Sequence, residues 1–183
     1  NQMTDTDPRF SKILHDHREI ETAAKRIGAQ IDRDYAGKTP ILVVVLKGAV
    51  MWAGDLFRNI SIDVEMDFID IASYHGGIAS SNEITLRTDL TSDVKDRDVI
   101  IVEDIVDTGL SLRYLESLLS RRGARSVKTA TMLNKQKGHK VDIRADYVGF
   151  EIDNEFVAGY GLDYQEIWRN LPFIGVVNPD IYS

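Results

Sequence analysis

The sequence contains no cysteine and no long uninterrupted apolar segment. Without cysteine the protein has no disulfide framework, no thiol nucleophile and no thiolate metal ligand. A membrane-spanning helix needs about 20 consecutive apolar residues, and no run approaches that length. Residues 1–10 are polar, so we expect no secretory signal there. Together these absences predict a cytoplasmic protein that does not enter membranes.

An excess of basic residues is also missing. The chain has 22 Lys and Arg residues against 29 Asp and Glu residues, a formal net charge of −7. Such a chain is a poor general binder of nucleic acid, whose backbone it would repel. If the protein binds a polyphosphate, local Lys and Arg side chains and a divalent metal must therefore offset the acidic background.

What is present is an alternation of helical and strand patterns in 183 residues, enough for one domain with a buried core. Helices are predicted over Ser11–Tyr35, from Val50 to about Asn59, and from about Leu112 until Gly123 ends it. Strands are predicted at Ile41–Leu46, Ile62–Ile71, Ile84–Arg87, Val99–Val102, Val127–Leu133, Tyr147–Phe150 and Ile174–Val177. This alternation predicts an α/β fold with a mainly parallel sheet.

The stretch VIIVEDIVDTGLSL, Val99 to Leu112, places the carboxylates of Glu103, Asp104 and Asp107 close together, where they repel one another. Ligands of open α/β sheets bind beyond the carboxyl ends of the strands, and the first two carboxylates follow such an end. Carboxylates readily accept hydrogen bonds from vicinal hydroxyls. A ligand that carries a diol would therefore justify the arrangement.

The residues after these carboxylates are suited to a phosphate monoester. Thr108, Gly109 and Ser111 lie where a loop enters a helix, and backbone N–H groups with the helix dipole favour an anion there. The stretch is therefore predicted to bind ribose 5-phosphate. The alternative is that Asp107 and Thr108 merely cap the helix while the Glu–Asp pair is solvated. Two acidic residues directly after a buried strand argue against it.

Four segments in this order resemble motifs of the type I phosphoribosyltransferases, enzymes that use phosphoribosyl pyrophosphate (PRPP). The stretch above resembles their signature, and LKGAV (Leu46–Val50) resembles the pyrophosphate loop. ASYHGG (Ala72–Gly77) resembles the flexible Ser-Tyr loop, within a polar segment predicted over Ser73–Glu83. Tyr147–Val177 resembles the base-binding hood of the hypoxanthine-guanine branch. The match covers nearly the whole chain after about Arg9.

The resemblance implies a single domain over residues 1–183, built on the type I phosphoribosyltransferase fold. In that fold a mainly parallel twisted sheet is flanked by helices and carries a small hood formed largely by the C-terminal segment. The core would span about 36–145, and the hood would combine N-terminal residues with about 150–183.

By the same resemblance, the ribose of PRPP is bound by Glu103 and Asp104. The 5′-phosphate is bound by Asp107, Thr108, Gly109, Leu110 and Ser111, and the pyrophosphate by Lys47, Gly48, Ser73, Tyr74 and Arg169. The Leu46–Lys47 peptide is implied to be cis. From the residues alone, Lys47 and Gly48 follow a buried strand, and a glycine lets backbone N–H groups approach an anion. An exposed lysine in a turn is the alternative for Lys47.

The resemblance also implies a purine site made by Ile105, Lys135, Phe156, Val157 and Asp163, with Asp107 as the catalytic general base. A lysine is a donor without an acceptor, so it suits a 6-oxo group and not a 6-amino group. The sequence by itself equally allows a surface lysine, a core phenylalanine and, at Asp163 and Arg169, ordinary surface ion pairs. Mg²⁺ is implied as the cofactor, with Asp163, Glu103 and Asp104 as its ligands.

The implied activity is purine salvage: transfer of phosphoribosyl from PRPP to hypoxanthine, and to guanine as well. The family also implies a homodimer or homotetramer, for which the helix from Val50 to Asn59 is our candidate interface. One alternative is a PRPP-sensing regulator that binds RNA or DNA, and another is an enzyme that prefers xanthine or adenine. Leu162, where bacterial relatives often carry Ile, leaves the choice between hypoxanthine and guanine open.

Overall fold

The computed structural model describes residues 7–74 and 83–183. Its strands are β1 (Phe10–Asp16), β2 (Ile41–Leu46), β3 (Glu65–Tyr74), β4 (Glu83–Thr88), β5 (Asp98–Val106), β6 (Ser126–Asn134), β7 (Tyr147–Glu151), β8 (Val157–Ala158) and β9 (Phe173–Val177). Its α-helices are α1 (His17–Asp34), α2 (Val50–Arg58) and α3 (Leu110–Arg121).

The larger sheet has the strand order β4-β3-β2-β5-β6-β7. Its pairs are parallel except for β4, which returns antiparallel to β3. The run Ile41–Val45 is buried because β2 is central and apolar side chains cover both of its faces. The predicted α/β fold with a mainly parallel sheet is confirmed.

The smaller sheet joins distant parts of the chain in the antiparallel order β1-β9-β8. Phe10 of β1 packs against Gly175 of β9, where an added Cβ would lie 2.5 Å from the phenyl ring. Val157, Ile174 and Val176 of this sheet belong to the same apolar cluster as Ile20 of α1 and Val44 of β2. We call this three-stranded sheet and the segment 159–172 between β8 and β9 the hood.

The predicted helix over Ser11–Tyr35 is wrong in its first six residues, which form most of β1. Asp16 begins α1 instead, because its side chain accepts the Glu19 N–H at 2.9 Å in a capping box. The strand before it exists because β9, more than 150 residues away, supplies its hydrogen-bond partners. Within α1 itself, the apolar periodicity predicted a buried face, and Ile20, Ala24, Ile27 and Ile31 are buried.

Other boundaries differ where a strand continues beyond its apolar run. The second predicted strand begins at Glu65, not Ile62, and extends to Tyr74. β5 runs past Val102 to Val106, so Glu103 and Asp104 lie within the strand and not in a loop. The polar loop predicted over Ser73–Glu83 is in part the ends of β3 and β4, and residues 75–82 lie outside the described residues. None of the helices described combines the length and apolar character needed to cross a bilayer.

Candidate active site

Two clefts meet at the carboxyl ends of β2 and β5, where Val45, Leu46 and Asp104 line both. The first has a volume of about 270 Å³ and is also lined by Ile71, Glu103, Ile105, Val106, Asp107, Thr108, Gly109, Ser111 and Leu112. The second has a volume of about 490 Å³ and is also lined by Lys47, Gly48, Arg87, Glu166 and Arg169. Most of the predicted ribose, phosphate and pyrophosphate residues are thus brought together around Asp104.

Two adjacent carboxyl groups line the first cleft, and one of them, Asp104, also lines the second. Glu103 is buried in β5, where it is paired with Thr131 of β6. Burial, and then the neighbouring Asp104 carboxylate, raise the pKa of Glu103 well above its usual range. Burial also raises the pKa of Asp104, although the Ile105 N–H, which donates to Asp104 at 2.8 Å, opposes the shift. Hydroxyl donors or a cation would relieve the unfavourable closeness of these groups.

The loop Asp107–Gly109, predicted to bind the 5′-phosphate and called the phosphate loop below, leads directly into α3. Gly109 has a left-handed φ of 84°, and a Cβ there would lie 2.5 Å from Ile143, so a larger residue is disfavoured. The first amide N–H groups of a helix have no partner within it. One of them, on Leu110, donates to Thr108 Oγ1 at 3.3 Å. Ser111 lines the cleft beside this helix start, whereas Leu110, the first helical residue, is not among the residues that line it.

Lys135 is a buried residue in contact with Asp107, not a solvated surface lysine. Its backbone N–H donates to Val106 O at 2.9 Å, which places it immediately after β6 and beside the end of β5. The buried side chain brings Nζ within 3.5 Å of Asp107 Oδ2. Asp107 itself is about half exposed and lines the first cleft. A donor and an acceptor therefore stand side by side at the edge of the phosphate loop.

The pyrophosphate loop is packed between the core and the hood. The Leu46–Lys47 peptide is cis, as the family resemblance implied. A Cβ on Gly48 would lie 2.0 Å from Asp104 Oδ2, and a Cβ on Gly161 of the hood would lie 2.1 Å from Gly48 O. A side chain at position 161 would meet backbone and force these segments apart, and a side chain at position 48 would displace the Asp104 carboxylate.

Charged side chains from three segments converge beside this loop. Arg169 Nη1 donates to Gly161 O at 2.7 Å, and Arg169 Nη2 lies 3.7 Å from Asp163 Oδ1. Lys47 Nζ lies 3.0 Å from Glu166 Oε2. Arg87 of β4 lines the same cleft. Arg87 and Glu166 were missed from the sequence, because a polar edge strand and a polar turn carry no motif that identifies them.

Three C-terminal residues predicted to bind the purine line neither cleft in the part of the chain described: Phe156, Val157 and Asp163. Phe156 is 43% exposed and lies edge-on to Tyr164, with ring centroids 6.1 Å apart. Val157 is buried in the main core and pairs with Val176, so only its backbone is available to a ligand. Ile105, by contrast, lines the first cleft.

The two loop residues predicted to close over pyrophosphate lie at the end of β3. Ser73 is exposed and pairs with Ile84, and Tyr74 pairs through its backbone with Glu83. The remainder of the predicted loop, residues 75–82, falls outside the described residues, so its closure over the site stays a prediction.

The donor set suits a metal that is shared with a ligand. In residues 7–74 and 83–183, no three His, Asp or Glu side chains converge as a complete metal cage. Mg²⁺, however, is commonly held by one or two carboxylates together with substrate phosphates. Asp104 lines both clefts, and Asp163 is partly exposed beside the cations of the second cleft. These oxygen donors fit Mg²⁺ bound through a polyphosphate.

Comparison with known proteins agrees with this architecture. Residues 11–165 match the family described as the phosphoribosyl transferase domain. The chain is 52% identical over 174 residues to a hypoxanthine-guanine phosphoribosyltransferase of Streptococcus pneumoniae, covering 95% of this chain and 97% of that protein. A sheet of this topology with a phosphate loop after β5 defines the type I phosphoribosyltransferase fold.

Solved structures place the chain in the same class. A hypoxanthine phosphoribosyltransferase of Staphylococcus aureus superposes with a TM-score of 0.91 at 42% identity, over 96% of this chain and 95% of that one. The Trypanosoma cruzi enzyme superposes with a TM-score of 0.91 at 38% identity, over 96% and 95% of the two chains. The chain belongs to the phosphoribosyltransferase family.

Proposed function

We propose that the protein is a purine salvage enzyme that transfers phosphoribosyl from PRPP to hypoxanthine, and to guanine, with release of pyrophosphate. The relatives named above support the reaction class. The observation that carries the proposal is the contact between buried Lys135 and Asp107 at the edge of the phosphate-loop cleft. This pair can recognise a 6-oxopurine next to a bound ribose 5-phosphate.

In the proposed reaction, the bond between the anomeric carbon and pyrophosphate breaks as purine N9 attacks from the opposite face. Positive charge develops on the ribose, whose hydroxyls donate to Glu103 and Asp104 in the first cleft. Negative charge develops on pyrophosphate, where Lys47 and Arg169 of the second cleft stabilise it. The two clefts meet at Asp104, as a substrate with both groups requires.

The purine loses one proton as the new bond forms. In our proposal Asp107 accepts that proton from N7, while Lys135 donates to the 6-oxo group, an assignment that their 3.5 Å separation supports. Phe156 stacks on the base against Ile105, and the Val157 backbone meets the Watson–Crick edge. Phe156 is 43% exposed, so its ring is accessible to a base.

Mg²⁺ is proposed as the cofactor, with Asp163, Glu103 and Asp104 as the carboxylates that hold it. When bound, it would offset the negative charge of the polyphosphate. Asp163 lies 3.7 Å from Arg169, which in our proposal offsets another part of the negative charge of the polyphosphate.

We further propose that the whole chain acts as one domain, in the cytoplasm, as a homodimer or homotetramer. In α2, Val50 and Met51 are 47% and 41% exposed and could pack against a partner, whereas Trp52 is fully buried in the core. Trp52, although it lies in the candidate interface helix, is therefore unavailable for that role.

The test is product formation from PRPP with hypoxanthine, guanine, xanthine, adenine and uracil, each with and without Mg²⁺ and resolved by chromatography. We expect IMP and GMP from the first two bases. Xanthine as the preferred base would favour the alternative enzyme. PRPP binding without product from any base would favour the sensor.

A further inference from the structure

Glu166 lines the second cleft and contacts two of its three cations, Lys47 and Arg169. Its Oε2 lies 3.0 Å from Lys47 Nζ, and its Oε1 lies 3.3 Å from Arg169 Nη2. Each carboxylate oxygen therefore contacts one of the two cations. These are the same two side chains to which the proposed function gives the pyrophosphate.

The turn fixes the backbone position of Glu166 beside the cleft. Glu166 lies in a turn, Asp163–Arg169, in which Gln165, Glu166 and Trp168 all have left-handed φ angles, of 49°, 72° and 73°. Such conformations are unfavourable for residues other than glycine and persist where the surroundings require them. The Glu166 N–H donates to Asp163 Oδ2 at 2.9 Å, and Tyr164 pairs with Ile167 across the turn. The position of Glu166 is thus built into the hood.

The contact is electrostatic and reversible. The Glu166 carboxylate accepts a hydrogen bond from Lys47 Nζ at 3.0 Å and forms an ion pair with Arg169. The Lys47 and Glu166 side chains remain 64% and 65% exposed, which keeps the pair weak enough to open. A diphosphate that enters the cleft competes with Glu166 for Lys47 and Arg169, and the negative charge of Glu166 repels it.

We propose that Glu166 is an internal competitor of the diphosphate, occupying the pyrophosphate subsite of the free protein and leaving Lys47 and Arg169 when the ligand binds. The inference rests on the proposed function and adds a residue to it. Its consequence is that Glu166 lowers the affinity for pyrophosphate and so speeds release of this product.

The test is calorimetric titration with magnesium pyrophosphate of the wild type, Glu166→Gln, Glu166→Ala and a control, Glu65→Gln. The control removes the same charge from an exposed glutamate paired with Arg97 at the amino end of β3, the opposite edge of the sheet. We expect both Glu166 variants to bind pyrophosphate about two- to tenfold more tightly, the range of one or two exposed ion pairs. The control should bind like the wild type.

Salt supplies a readout that a merely structural role would not change. Raising the ionic strength from about 0.05 M to about 0.5 M should reduce the difference in pyrophosphate affinity between the wild type and Glu166→Gln, because exposed charges are screened. Glu166 variants that bind pyrophosphate like the wild type, or more weakly, would overturn the proposal.

Lys47→Ala separates this failure from failure of the proposed function. If the wild type binds pyrophosphate and Lys47→Ala weakens it while the Glu166 variants change nothing, only the competitor role is rejected. If the wild type does not bind pyrophosphate, or if Lys47→Ala binds as tightly, the pyrophosphate subsite itself is misplaced and both proposals fall.

Discussion

Lys135 Nζ and Asp107 Oδ2 lie 3.5 Å apart, although the two residues are 28 positions apart in the sequence. Lys135 directly follows β6 and Asp107 directly follows β5, and these strands are parallel neighbours. The pair presents a fixed donor beside an acceptor, matching the adjacent O6 and N7–H of a 6-oxopurine. Adenine, with an amine at position 6, would place a donor against the ammonium.

Asp107→Asn tests the proposed proton acceptor. We expect turnover with hypoxanthine to fall by about 10²- to 10⁴-fold, the usual contribution of a general base. The affinity for PRPP, measured by calorimetry, should change much less, since our proposal assigns the phosphate to Thr108, Ser111 and backbone groups. Asp142→Asn, which removes the same charge from an exposed residue, is the control. Near-normal turnover of Asp107→Asn would show that Asp107 is only a loop residue and not the proton acceptor.

Lys135→Ala tests base recognition. A buried polar group that loses its partner costs roughly 1–3 kcal/mol, and a site built on one hydrogen bond rejects the mismatched analogue by about 10⁴-fold. The wild type should therefore use hypoxanthine and guanine but not adenine. Lys135→Ala should lose efficiency on hypoxanthine while gaining little on adenine.

The matched control for Lys135→Ala is Lys137→Ala, a neighbouring exposed lysine. The measurement is kcat/KM for each of the three bases on the wild type and both variants. Efficient use of adenine by the wild type, or unchanged use of hypoxanthine by Lys135→Ala, would show that the purine site lies elsewhere.

Chelation tests the metal. In the proposed complex a polyanionic substrate lies beside four carboxyl groups, those of Glu103, Asp104, Asp107 and Asp163, whereas only two cations, Lys47 and Arg169, are assigned to its pyrophosphate. Activity should vanish in excess EDTA and return when Mg²⁺ is added. Asp163→Asn should need more Mg²⁺ and bind pyrophosphate more weakly, with an unchanged circular dichroism spectrum. Full activity in chelator would exclude the metal from the reaction.

Sedimentation velocity tests association through α2. At micromolar concentration we expect a dimer or tetramer, and not only the 20.6 kDa monomer. Met51→Glu should shift the distribution toward monomer if α2 is the interface, because a charge would enter an apolar contact. Met66→Glu, at another exposed methionine on β3, should not. A monomeric wild type would reject the assembly, and an unaffected Met51→Glu would place the interface elsewhere.

Asp98 makes the stability of the fold depend on pH. Arg125 and Ser126 hydrogen-bond to its buried carboxylate and, with Arg125 contributing most, lower its pKa from 3.8 to about 2. A pKa that is lower in the folded state stabilises the fold above the unfolded value, and this contribution disappears as the pH falls through the folded value. Asp98→Asn should therefore cost about 2 kcal/mol near neutral pH.

The measurement is urea unfolding of the wild type and Asp98→Asn between about pH 7 and pH 2. The difference in unfolding free energy should be constant above about pH 5 and shrink below about pH 4, where the unfolded carboxyl takes up its proton. Asp93→Asn, an exposed aspartate, is the control. If the difference in unfolding free energy keeps its full neutral-pH size at pH 2, the loss is due to packing and not to charge.

The sequence by itself determined the features that depend on neighbouring residues. The apolar run of β2 requires burial wherever it lies, and the helical periodicity of α1 requires one buried face. The loop that leads into α3 was also predictable, because Thr108, Gly109 and Ser111 lie within a few positions of the helix start; its binding of phosphate stays a prediction. The carboxylates Glu103 and Asp104 were recognisable as unusual because they directly follow the apolar run Val99–Val102, although the strand continues through them to Val106.

Tertiary structure alone decided the features that depend on distant partners. β1 and β8 exist because β9 pairs with both, and neither has enough local apolar pattern to be recognised alone. The burial of Lys135 follows from strand order, and its sequence context of nearby lysines suggested a surface residue. The contact of Glu166 with Lys47 joins positions 119 residues apart. A charge in a polar turn reveals its partner only when the chain has folded, since electrostatic interactions depend on distance in space.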